Sequence, residues 1–195
     1  ENYDRAFVIG WGTGVTAGEL AALDGSREVR VAEISRAVIA SAPLFDIGNL
    51  NASKNPKIEI SSGDAYRTLL RSEGQYDLII SEPSNPWVTG VEMLYSREFL
   101  ESARDHLTPR GVYAQWYHQY ETDSESVELG LRTYGTFCER GSVWYGLGPD
   151  LIILGFQESA HPLDFERLKR RANNPAFRSG LERSGVGSFT EMLAH

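Results

Sequence analysis

Cysteine is almost missing from this sequence: Cys138 stands alone among 195 residues, which excludes an intrachain disulfide. The four histidines, His106, His118, His161 and His195, show no ligand spacing, and with no paired Cys either, a zinc site is excluded and no metal is expected. Basic residues are in deficit, 19 against 27 acidic, leaving a formal charge of −8. Binding to a phosphate backbone is supplied largely by clustered Lys and Arg, so no nucleic-acid partner is expected and small, preferably cationic, molecules are favoured. No apolar run approaches the roughly 18 residues that span a bilayer, and no basic stretch followed by a short apolar one marks a signal peptide. The expectation is a chain without a membrane partner of its own, located in the cytoplasm. Internal repeats and low-complexity stretches are also lacking.

What is present is ordinary globular composition, 41% hydrophobic and 24% charged, enough for one domain burying roughly 70% of its unfolded surface. The sequence starts at Glu1 without Met and enters an apolar strand within a few residues. It reads as a piece of a longer protein, in which case the cytoplasmic face of a membrane is the other expected location.

Short apolar runs alternate with helical patterns. The runs are Ala6 to Ile9, Val29 to Ile34, Ile58 to Ile60, Leu78 to Ile80, Val112 to Trp116, Val143 to Tyr145 and Leu151 to Phe156. Between the first five lie Glu19 to Leu23, Ser35 to Ala42, Ala65 to Arg71 and Ser96 to Leu107, with apolar residues three or four apart. This alternation predicts βαβ units and a mostly parallel sheet. Thr122 and Glu125 fit a capping box that opens a helix toward Tyr134. Gly146, Gly148 and Pro149 then separate two strands that give the sheet an antiparallel ending. Beyond Phe156, Pro162 to Ala172 reads as a basic amphipathic helix, so residues 1–157 are expected to form the main domain and 158–195 a helical appendage.

The sharpest local signal is Phe7-Val8-Ile9-Gly10-Trp11-Gly12-Thr13-Gly14, a strand running through alternate glycines into a helix. Glycine permits positive φ and lets backbone approach a ligand, and the helix that follows presents unpaired N–H groups. A dinucleotide fold wants Gly or Ala five residues after Gly10, where Val15 stands, so the loop suits a mononucleoside; the alternative is a tight turn without ligand. Glu33, at the end of the second strand, is placed to accept from both ribose hydroxyls. Asp64, in Gly63-Asp64-Ala65 after the third strand, either accepts from an adenine amino group or caps a helix.

The fourth strand, Tyr76-Asp77-Leu78-Ile79-Ile80-Ser81, runs into Glu82-Pro83-Ser84-Asn85-Pro86-Trp87. Ligands of open parallel sheets sit beyond the carboxyl ends of strands, so Glu82 is expected to face the crevice of the glycine loop. The prolines stiffen this loop. Trp11, Trp87 and Trp116 are candidates for the walls of the pocket.

These pieces, together with Leu94-Tyr95, Leu107-Thr108-Pro109-Arg110-Gly111-Val112 and Gln115, resemble the spermidine and spermine synthases in order and spacing over roughly residues 6 to 156. The Ser81 to Trp87 segment with Gln115-Trp116 looks most like divergent synthase-like domains often attached to multi-pass membrane segments. The resemblance implies a class I S-adenosylmethionine-dependent methyltransferase-like Rossmann fold with a mostly parallel seven-stranded sheet. It implies decarboxylated S-adenosylmethionine as co-substrate and transfer of its aminopropyl group to a polyamine, with a homodimer as the expected assembly. In this likeness Gly10, Gly12, Gly14, Glu33, Asp64 and Ala65 hold the nucleoside and Glu82 falls on the base. Asn85, Gln115 and Tyr145 fall on amine-binding positions. Relatives usually carry Asp where Glu82, Asn85 and Ser35 stand, and the small N-terminal β domain of the family is missing here. Two other functions fit the residues: methyl transfer from S-adenosylmethionine to a small amine, suggested by Asn85-Pro86-Trp87, and a nucleoside-binding sensor without catalysis.

Overall fold

Four of the five residues in Arg5–Ile9 are buried, as the central strand of a sheet covered on both faces must be. This strand, β1, is followed by β2 (Glu28–Glu33), β3 (Ile58–Ser62), β4 (Tyr76–Ser81), β5 (Leu107–His118), β6 (Arg140–Tyr145) and β7 (Asp150–Phe156). The computed structural model describes residues 3–83, 89–120, 122–137, 140–146, 148, 150–157 and 164–194. The seven strands form one sheet in the order β3-β2-β1-β4-β5-β7-β6. Strands β1 to β5 pair in parallel, and β7 runs antiparallel to both β5 and β6. The turn at Gly146, whose N–H donates to Asp150 O at 2.8 Å, makes the antiparallel ending.

Strand alternation sends successive side chains to opposite faces. Phe7, Ile79, Tyr113 and Leu151 meet Leu69 of α3 (Ala65–Leu70), Phe99 and Ala103 of α4 (Arg97–Asp105), and Tyr134 and Phe137 of α5 (Ser124–Phe137). On the other face Val8, Val29 and Val31 meet Ala17 and Ala21 of α1 (Val15–Ala22), with α2 (Arg36–Ser41) beside them. Burying each large side chain contributes about 1.5–3 kcal/mol, so these two layers hold the strand ends in fixed positions.

Several boundaries differ from the sequence pattern for physical reasons. Helix α1 begins directly after Gly14, which takes the left-handed conformation at its N-cap, four residues before the apolar period shows. The cap of α5 is Asp123, whose Oδ1 accepts from Ser126 N at 2.7 Å; Thr122 instead donates to Tyr120 O. Strand β5 starts at Leu107 and takes in Pro109, beside a register shift opposite Tyr76 and Leu78, where a missing N–H is tolerated. The tail forms α6 (Phe165–Ala172), α7 (Pro175–Arg183) and α8 (Phe189–Ala194), none with a buried residue. Arg183 of α7 ties this tail to α1 through Glu19 at 2.6 Å. Among the described residues no helix is long and apolar enough to cross a membrane, and no group of metal-ligating side chains occurs.

Candidate active site

The glycine loop leaves β1 with Gly10, Gly12 and Gly14 at φ of 91°, 54° and 76°, all in the left-handed region. Its tightness has identifiable neighbours. A Cβ on Gly14 would lie 2.5 Å from the Trp11 ring and 2.8 Å from Asn49 Nδ2, whereas one on Gly12 would meet nothing within 4 Å. Asn49 donates from Nδ2 to Thr13 O at 2.8 Å and pins the loop from behind. Trp11 is buried, and its indole N–H has no hydrogen-bond partner among the described residues.

Glu33 is buried and braces the same loop. Its Oε2 accepts from Trp11 N at 2.8 Å and its Oε1 from Ser35 N at 2.7 Å. Each carboxylate oxygen retains a lone pair, so a ribose hydroxyl can be accepted without releasing the backbone. Asp64 is the N-cap of α3, its Oδ1 accepting from Arg67 N at 2.8 Å, with Ala65 buried behind it.

Glu82 continues β4 by one residue, its N–H donating to Ile9 O at 3.2 Å. It shares with the glycine loop a cleft of about 420 Å³. Gly10 to Thr13 and Thr16 form one side, Ile80 and Glu82 the floor, and Ala114, Trp116 and Ile152 the far wall. Glu82 reaches solvent through the mouth of this cleft, yet the protein around it displaces enough water to raise its pKa above 4.5. The Thr16 hydroxyl, 3.0 Å from both carboxylate oxygens, pulls in the opposite direction and only partly offsets the desolvation.

Other predicted positions lie elsewhere. Gln115 is buried on the face of β5 opposite Ala114 and Trp116, which line the cleft. Its Oε1 accepts from Tyr113 OH at 2.7 Å and its Nε2 donates to Trp116 O at 3.0 Å. Tyr145 ends the edge strand β6, 70% exposed and paired with Leu151. Asn85 and Trp87 lie outside the described residues. The sequence pattern missed Thr16 and Asn49. Thr16 carried a signal, being the second residue of the helix that the glycine loop opens; Asn49 sits in a connecting segment with no motif around it.

The family described as the spermine/spermidine synthase domain matches residues 1–145. The chain belongs to that family. Among curated relatives of this synthase-family chain, the polyamine aminopropyltransferase of Leptospira biflexa is 29% identical over 122 residues, covering 60% of this chain and 43% of the relative. Polyamine aminopropyltransferase 2 of Streptomyces coelicolor is 32% identical over 114 residues, covering 56% of this chain and 21% of the relative. The chain therefore spans less than half the length of these relatives. Spermidine synthase from Thermotoga maritima superposes with a TM-score of 0.75 at 20% identity, over 90% of this chain and 61% of that one. Human methyltransferase-like protein 13, solved with SAH, gives 0.72 at 16% identity, over 91% and 82%. The fold of this synthase-family chain is thus the methyltransferase-like Rossmann fold, with the seven-stranded mixed sheet described above.

Proposed function

We propose that this chain is the nucleoside-binding and catalytic part of an aminopropyltransferase that uses decarboxylated S-adenosylmethionine and an amine of the polyamine class. Residues 1–157 form the catalytic domain and 158–195 an appendage; a cytoplasmic location and pairing with a second copy belong to the same proposal. The observation that carries it is the shared cleft: the glycine loop and the Glu82 carboxyl face one space. That space suits an adenosyl group, because Gly12 leaves one side of it open.

In the reaction the amine nitrogen forms a bond to the carbon attached to sulfur, the carbon–sulfur bond breaks, and its electron pair leaves on the thioether. The nitrogen must be unprotonated to attack and sheds a proton afterwards, and Glu82 is the group placed to take it. A carboxyl with a raised pKa is a stronger base than a solvated one. General-base help of this type contributes about 10²–10⁴ in rate, whereas alignment of the reacting atoms contributes about 7 kcal/mol or more. Holding the nucleoside is therefore the larger task, and it falls to the loop braced by Glu33 and Asn49.

Methyl transfer is the second reading, favoured by the fold shared with methyltransferase-like protein 13. Incubating the protein with each nucleoside and a panel of amines, then identifying the nucleoside product by mass spectrometry, separates the two. 5′-Methylthioadenosine from the decarboxylated donor is the expected product. S-adenosylhomocysteine alone would establish methyl transfer instead, and binding without any product would leave a sensor.

A further inference from the structure

We infer that His118 is a positioning residue, held by Asp150 and acting through the Trp116 ring that walls the cleft. This rests on the proposed function and goes beyond it by naming what fixes the acceptor's side of the site. Ser81 pairs with Gln115 across β4 and β5, so the next residues along, Glu82 and Trp116, are neighbours, and both line the cleft. An amine that gives its proton to Glu82 therefore lies against Trp116.

Little else holds that ring. Trp116 is half-buried and borders the open space of about 420 Å³. Among the described residues its indole N–H makes no hydrogen bond, and its one ring contact is His118, with centroids 3.6 Å apart at 65°. Positions two apart along a strand share a face, which is why residues 116 and 118 meet. With open space on one side, the neighbour on the other decides which staggered rotamer the tryptophan occupies.

His118 is itself fixed by more than packing. It is buried, and the register of β5 and β7 sets it directly opposite Asp150, with Nδ1 at 2.7 Å from Asp150 Oδ1. A carboxylate can only accept, so Nδ1 carries the proton and the ring cannot turn over without giving up the bond. Tyr120 packs beside the same ring, its centroid 4.6 Å away at 65°. The Gly146 N–H, donating to Asp150 O at 2.8 Å, closes the turn that keeps Asp150 in register. A line of contacts thus runs from the last hairpin through Asp150, His118 and Trp116 to the space beside Glu82, across the cleft from the nucleoside loop.

The test uses the 195-residue protein and separates bond geometry from charge. D150A removes the acceptor, whereas D150N keeps an oxygen that can take the same Nδ1–H. In D150A the KM for the amine giving most product in the panel above should rise about tenfold, with nucleoside affinity by calorimetry within about twofold of wild type. D150N should restore KM to within about threefold. The near-ultraviolet circular dichroism of Trp116, isolated by subtracting the matching W116F spectrum, should lose more than half its intensity in D150A and keep it in D150N. An unchanged Trp116 signal in D150A, or D150N falling as far as D150A, overturns the inference. Should D150A fail to fold, H118F carries the test: it keeps a ring but has no Nδ1–H, so the Trp116 signal should fall in the same way, and an unaltered signal overturns the inference. The signal is read without turnover. Its loss in D150A while the wild type makes no product would sink only the proposed function; product from a D150A protein with wild-type KM and signal would sink only the positioning role.

Discussion

Thr16 Oγ1 lies 3.0 Å from both carboxylate oxygens of Glu82, so the first turn of α1 and the end of β4 meet through one hydroxyl. That hydroxyl has one proton to donate and holds the Glu82 pKa below where desolvation alone would set it. In T16V the pKa rises further, and the acid limb of the kcat/KM profile with pH should move to higher pH. An unmoved limb would mean that another group governs the profile.

The same raised pKa fixes the sign of a stability effect. A carboxyl whose folded pKa exceeds its unfolded value favours folding when protonated, and that contribution is lost as pH rises through the folded value. Glutamine cannot ionise. Thermal melts of E82Q should therefore match or exceed the wild type at neutral pH, with the difference vanishing below about pH 4.5, while turnover falls by about 10²–10⁴. A variant that melts lower at neutral pH would show that the carboxylate is stabilising as it stands.

Glu33 serves both fold and ligand. E33Q retains one oxygen and points an NH₂ at a backbone N–H, so a charge-assisted bond is lost and a repulsion appears. Denaturant unfolding should register a loss of about 1–3 kcal/mol, and nucleoside affinity should fall with it. Lost affinity with undiminished stability would confine the residue to ligand binding.

Gly12 and Gly14 should respond differently to added carbon. G14A must displace the Trp11 ring at a left-handed φ, and a stability loss above about 1 kcal/mol is expected in unfolding experiments. A Cβ on Gly12 meets nothing within 4 Å, so G12V, though strained at its left-handed φ, should show its larger effect in calorimetry with nucleoside. Normal nucleoside affinity in G12V would place the ligand away from this loop.

At the start of α5, removing the Asp123 side chain should lower the melting temperature, because Ser126 N then loses its acceptor. T122V should melt close to the wild type. The reverse ranking would make Thr122 the functional cap.

Much of this architecture was legible because its signals are local. Alternate glycines after an apolar strand need only neighbours to make a tight loop, and the order of runs and periods gave the sheet before any contact was known. The cap of α5 was misplaced by one residue because Thr122 and Asp123 are both good caps, and the choice depends on where β5 releases the chain. Gln115 shows the limit of likeness between sequences. Its neighbours Ala114 and Trp116 line the cleft, and alternation along a strand alone sends it to the other face. The Glu33 bonds to Trp11 and Ser35, the hydroxyl of Thr16 on Glu82 and the Asn49 brace depend on how separate segments meet, information that no window along the chain contains.

The far wall of the cleft includes Ile152, a residue that leaves the ribosome long after Gly12 and Glu82. A nascent or truncated chain that stops before β7 owns the loop and the acid yet has no enclosure for a substrate. Deleting the last hairpin should thus abolish chemistry outright rather than scale it down.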